Sequence, residues 1–213
     1  MTLSGRTFIA RHGETVFNFA ARMQGEKHVH TPLTRTGFAQ ADAMGEALAE
    51  YLGTRHALTL WSSTSGRALQ TLAVITELIG HDWHEAKVDA RLCEINVGDW
   101  SGGRYEDIIA AHGSDILDRD AGLFCTRPPG GEWYDDIANR LSGWIADASN
   151  DRSDRLVIMH GISARVLRGM LLGLPVDPVW GAPIAPNLPQ GSLVMIGGGE
   201  EKVIRMGGGV AHA

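Results

Sequence analysis

The sequence predicts an α/β fold, with a mostly parallel, mixed sheet covered by helices on both faces. Three observations predict it. Apolar runs such as Ala57–Trp61 (ALTLW) and Leu156–Met159 (LVIM) lack polar alternation, as strands buried on both faces do. Amphipathic helical stretches separate these runs. No internal repeat or linker-like stretch divides the 213 residues, a length that suits one domain over 1–213.

The elements follow in order. Thr7–Ala10 reads as the first strand. Thr34 is placed to N-cap a helix over Arg35–Leu52, with Ala41, Met44, Leu48 and Leu52 on one face. After the strand Ala57–Trp61, the run Ser62-Ser63-Thr64-Ser65 caps a helix over Gly66–Ile79, in which Leu69, Leu72, Ala73 and Leu78 are partly periodic. From Lys87 to Gly131 the pattern weakens to a helix near Tyr105–His112 and the turn-rich Arg127–Glu132 (RPPGGE). A helix over Trp133–Ala148 aligns Ile137, Leu141, Trp144, Ile145 and Ala148. The strand Leu156–Met159 leads into a helix from Gly161 to about Leu172 and a proline-rich loop over 175–189. Ser192–Ile196 and Lys202–Met206 close the chain as strands, paired across Gly197-Gly198-Gly199.

Composition narrows the function. A net charge of −6 argues against a nucleic-acid partner, so any bound anion must be held by a few focused cations. No run reaches the roughly 20 apolar residues that span a bilayer, so no membrane association is expected. The segment before His12 is too short for a secretory signal and contains Arg6, which predicts a soluble, cytoplasmic protein. Cys93 and Cys125 stand far apart without CxxC spacing, so neither a disulfide framework nor a zinc cluster is indicated. His28-x-His30 and His81-x-x-His84 lack a carboxylate and third ligand at metal-binding spacing and read as loop histidines.

In open α/β sheets ligands bind beyond the carboxyl ends of the strands. The first strand ends in Arg11-His12-Gly13, the second runs through Ser62-Ser63 toward Arg67, and the LVIM strand ends in His160-Gly161. Two histidines and two arginines thus converge on one sheet edge. For a phosphoryl ligand each has a task. The arginines clamp phosphate oxygens with forked, charge-assisted hydrogen bonds. A neutral imidazole can attack phosphorus, and a second, if protonated, adds positive charge where the transferring group spreads its negative charge. Backbone N–H groups after Gly13 or Gly161 can contribute further.

Arg11-His12-Gly13-Glu14-Thr15 with Asn18 resembles the RHGxTxxN signature of the histidine phosphatase superfamily, the phosphoglycerate mutase-like family. Further blocks follow in family order: Gln24-Gly25, Pro32-Leu33-Thr34 with Gly37 and Gln40-Ala41, Ser62-Ser63 with Arg67-Ala68 and Thr71, Leu92 and Glu94 with Gly98, Trp100 and Gly102, Pro129-Gly130-Gly131-Glu132, and Val157–Gly161. The resemblance implies a three-layer α/β/α sandwich and a phosphomonoester hydrolase acting on a small phosphorylated metabolite, without cofactor or metal. It implies His12 as the nucleophile that becomes phosphohistidine. Arg11, Arg67, His160, Asn18 and Gly161 would form the phosphate pocket, with Gln24 and Gly25 reaching the substrate. Glu94 would protonate the leaving alcohol and then activate water. His12 must be neutral to attack, which nearby arginines favour.

Glu14 and Glu132 are rival carboxylates; Glu14 is placed to orient the loop, and Glu132 to stabilise the start of the Trp133 helix. Family mutases carry Glu-Arg-x-Tyr-Gly at the acid, whereas Glu94 is followed here by Ile95-Asn96-Val97-Gly98. That departure resembles the phosphatase branch. A cofactor-dependent mutase and a catalytically silent phospho-ligand binder are the alternatives. The substrate and the oligomeric state stay open at this point, as do the pocket-facing residues of Arg104–Arg127.

Overall fold

A computed structural model describes residues 3–25, 28–53 and 57–208. Its strands are β1 (Thr7–Arg11), β2 (Leu58–Ser62), β3 (Lys87–Val88), β4 (Leu117–Asp118), β5 (Leu123–Phe124), β6 (Asp154–Met159), β7 (Leu193–Gly197) and β8 (Glu200–Arg205). Its helices are α1 (Val16–Phe19), α2 (Arg35–Leu52), α3 (Gly66–Ile79), α4 (Tyr105–His112), α5 (Tyr134–Ala148) and α6 (Gly161–Leu172).

Six strands form one sheet in the order β3-β2-β6-β1-β7-β8. β3, β2, β6 and β1 run parallel, and β7 and β8 join antiparallel. The mixed, mostly parallel sheet and its helical layers are therefore as predicted. Alternate residues of each buried strand face opposite layers. Phe8, Ala10, Leu60, Leu156 and Ile158 pack in one core with Met44, Leu48 and Leu52 of α2 and Leu72 and Ile75 of α3. Ile9, Trp61, Val157 and Met159 pack in the other with Ile137, Leu141 and Trp144 of α5 and Val166 and Leu167 of α6.

Thr34 caps α2 by accepting from the Gly37 N–H. Ser65 precedes α3 without a side-chain cap bond, because its hydroxyl is directed elsewhere. The buried stripe of α3 is Ala68, Thr71, Leu72, Ile75 and Thr76, while Leu78 is partly exposed. Leu78 leans on Gly45 of α2, where a Cβ would stand 2.6 Å from its Cδ1. The sequence pattern misses α1, β3 and the β4–β5 hairpin, which are only two to four residues long and present too few residues to show a period.

Candidate active site

Sheet order brings the site together. β1 lies beside β6 with Arg11 opposite Met159, so His12 and His160 leave adjacent strand ends. The His12 N–H donates to the Met159 carbonyl, and the Ser63 N–H to the Ile158 carbonyl. Arg67 enters from the first turn of α3. Thr71, one turn later, accepts from the Gly13 N–H and donates to the Arg67 carbonyl, which locks α3 to the loop after His12. Arg11, His12, Arg67 and His160 are all buried.

The imidazoles stand edge to face with centroids 5.0 Å apart. The Arg67 Nε–H points between them, 3.3 Å from His12 Nε2 and 3.3 Å from His160 Nδ1. These contacts define both tautomers. His12 Nδ1 lies 2.7 Å from the Gly13 carbonyl and donates to it, which leaves the lone pair on Nε2. His160 accepts at Nδ1, so its Nε2–H donates to Ser63 Oγ at 2.7 Å, with Ser65 Oγ 3.3 Å away. Arg67 Nη1 is buried with no hydrogen-bond partner among the described residues, the mark of a cation set to receive an anion. Arg11 is held at the rear by the Leu188 carbonyl at 2.7 Å and Asn187 Oδ1 at 3.5 Å.

Burial, and after it the Arg67 charge, holds both histidines well below the usual imidazole range. His12 is therefore neutral, as attack requires. His160 is neutral too, whereas the sequence reading allowed a protonated partner. The Arg67 guanidinium is pushed down to about 10 by burial, against the raising effect of Glu94. Because the folded chain resists protonating these histidines, unfolding takes up protons below pH about 6.5. Stability is expected to be full above that value and to fall on acidification, by up to about 1.4 kcal/mol per pH unit for each histidine. Chemical denaturation between pH 8 and 5 measures this slope, and His160→Gln should flatten it.

Glu94 sits across the cavity. Its Oε1 accepts from the Ile95 and Ser163 N–H groups and its Oε2 from the Ile162 N–H, so it also caps the start of α6. Asn18 Oδ1 accepts from the Thr15 N–H in a capping box of α1, and Asn18 lines the inner cavity. That inner cavity, about 20 Å³, includes Arg11, His12, Arg67 and Glu94 in its wall. Gln24, Arg67, Glu94 and Ile95 also border a more open outer cavity of about 310 Å³, reached by Gly25, Asn96, Glu132 and His160.

A Cβ on Gly13 would collide with the Gly37 carbonyl oxygen, so Gly13 admits the start of α2. Gly161 leaves room for Arg11: a Cβ there would stand 3.1 Å from both Cζ and Nη2 of its guanidinium. Gly161→Ala is expected to shift Arg11 and weaken product inhibition by inorganic phosphate about tenfold, the scale of a modest overpacking cost. An unchanged inhibition constant would contradict this.

Glu14 orients the loop as expected, accepting from Thr34 Oγ1 at 2.6 Å. Glu132 is not the cap of α5; Asp136 closes that helix start, its Oδ2 accepting from the Trp133 N–H at 2.8 Å. Glu132 instead accepts from Arg140 and from the Asn96 N–H, joining the PGGE turn to the acid loop. The sequence reading missed Ser63 and Ser65 beside His160, although it quoted their block. It also missed Asn187 and Leu188 behind Arg11, for which a proline-rich loop carries no signal. Within Arg104–Arg127, Tyr105 and Phe124 reach the inner cavity, while Arg104 pairs with Glu106 and Arg127 with Asp136. Among the described residues no group of three or more His, Cys, Asp or Glu side chains could hold a metal ion, and no helix is long and apolar enough to cross a membrane.

Neutral imidazoles beneath buried guanidiniums, at the carboxyl edge of a helix-covered sheet, define an enzyme that handles phosphoryl groups. The profile of the histidine phosphatase superfamily (branch 1) matches residues 7–206, and the chain belongs to that superfamily. It is 33% identical over 203 residues to a glucosyl-3-phosphoglycerate phosphatase of Mycolicibacterium vanbaalenii, covering 91% of this chain and 84% of the relative. A probable phosphoglycerate mutase of Salmonella paratyphi C is 30% identical over 172 residues, covering 80% and 76%. The solved structure of a mycobacterial glucosyl-3-phosphoglycerate phosphatase complexed with VO3 superposes with a TM-score of 0.74 at 27% identity, covering 93% of this chain and 96% of that one.

Proposed function

We propose that this chain, acting as one domain, hydrolyses the phosphomonoester of a small sugar-type metabolite through a phosphohistidine on His12. One observation carries the mechanism: Gly13 fixes the Nδ1–H of His12, so the Nε2 lone pair faces the space beneath Arg67. Nε2 attacks phosphorus, the bond to the ester oxygen breaks, and a proton from the Glu94 carboxyl passes to the departing alkoxide. A water then attacks phosphorus and gives its proton to the Glu94 carboxylate. The N–P bond breaks and its electron pair returns to Nε2. Arg11, Arg67 and Asn18 hold the equatorial oxygens, whose negative charge grows in the transition state.

Two phosphatase relatives at 33% and 35% identity, both named for glucosyl-3-phosphoglycerate, support hydrolysis of a sugar-type substrate. The outer cavity of about 310 Å³ beside Glu94 has room for such an alcohol. Two free thiols, Cys93 and Cys125, support the cytoplasm as the compartment. Phosphate release across a panel of sugar phosphates, glucosylated phosphoglycerate, phosphoglycerates and nucleotides tests the reading. Release from a sugar-type ester is expected. Bisphosphoglycerate-dependent interconversion of monophosphoglycerates, without net release, would replace it with a mutase.

A further inference from the structure

The inner cavity has a wall that the superfamily motifs do not account for. Tyr105, the first residue of α4, lies in the variable segment between the acid block and the PGGE turn. Its backbone is fixed from the nucleophile's side of the site. The Tyr105 N–H donates to the Ala21 carbonyl, the Met23 N–H donates to the Gly103 carbonyl, and Arg22 bridges Arg104. The loop that follows His12 and the start of α4 are thereby locked together, and Tyr105 hangs from that lock. Its side chain lines the same small cavity as His12, Arg11, Asn18 and Glu94, beside Phe124 and Met23.

The two cavities divide the substrate. The outer one, with Asn96, Glu132 and Arg140, has the volume for an alcohol, while the inner one has room for little beyond the transferring group. Gln24, Arg67 and Glu94 border both and so mark where the ester oxygen passes. Of these two cavities, Tyr105 borders the inner one. We infer that Tyr105 is a further catalytic residue, whose hydroxyl donates a hydrogen bond to a non-bridging oxygen of the transferring phosphoryl group. Tyr105 is half-buried, and burial, then the Glu94 charge, raises its phenol far above the usual range. The group is therefore a neutral donor, suited to an anionic oxygen.

This assignment rests on the proposed hydrolysis, so its test includes a measurement that needs no turnover. Tyr105→Phe keeps the ring and deletes the donor. A hydrogen bond to a charged group is expected to contribute about tenfold or more. The variant should therefore lose that factor in kcat/KM by the same amount for p-nitrophenyl phosphate and for the best sugar phosphate. Its affinity for orthovanadate, measured by calorimetry, should fall in parallel. A loss that changes with the leaving group would move Tyr105 to the alcohol side, and unchanged vanadate affinity would overturn the assignment. If the wild-type chain hydrolyses nothing, weaker vanadate binding by the variant still supports the contact while the hydrolase reading falls. Tyr105→Leu, compared by melting temperature, separates loss of ring packing from loss of the hydroxyl.

Discussion

Replacing His12 with alanine is expected to stop turnover, with kcat falling on the order of 10⁴-fold or more, as when a covalent nucleophile is removed. The imidazole is buried, its Nδ1–H is held by Gly13, and its Nε2 lies 3.3 Å from Arg67. No other described side chain places a neutral nitrogen lone pair there except His160, and that one is directed by Ser63. The wild-type chain, quenched during turnover with a radiolabelled substrate, should carry acid-labile, base-stable label. The His12→Ala chain should carry none. Retention of more than a few per cent of activity in the variant would end the phosphohistidine mechanism.

Glu94→Gln should slow turnover by about 10²–10⁴-fold, the usual contribution of a general acid and base, while phosphate binding stays within about threefold. The loss should shrink when the leaving group is a nitrophenol, which departs without protonation. It should persist where hydrolysis of the intermediate limits the rate. Glu94 also accepts from three backbone N–H groups, two of them at the start of α6. A glutamine amide facing the Ile162 N–H would leave that donor unsatisfied and cost about 1 kcal/mol of stability. Turnover within about threefold of wild type for alkyl and nitrophenyl esters alike, together with a lower melting temperature, would assign Glu94 to capping alone.

The site was legible in the sequence wherever a functional side chain sits at the end of a buried strand. Arg11, His12 and His160 follow continuous apolar runs, and such runs fix both the strand and its end. Arg67 was legible because the serine run Ser62–Ser65 marks the helix start just before it. Groups that act through loops were not. Leu188 holds Arg11 with a backbone carbonyl, which every residue possesses and no side-chain pattern reveals. Tyr105 begins a weakly patterned helix, and the lock between residues 21–23 and 103–105, which sets it at the cavity, is made by backbone groups. At Gly13 a glycine signals close approach without naming what approaches, here the backbone of Gly37.

The grip on Arg11 also sets when the enzyme can come into being. Its partners in the 187–188 loop lie 176 and 177 residues further along the chain, and β1 is flanked only by β6 and β7. A ribosome delivers β1 and His12 more than a hundred residues ahead of β6, the strand's first neighbour along the chain. Contacts of such long range form late. Nascent fragments ending before β6 would therefore carry an unpaired β1, and those ending before the 187–188 loop would lack that grip on Arg11, so the phosphate pocket assembles only after both segments have emerged.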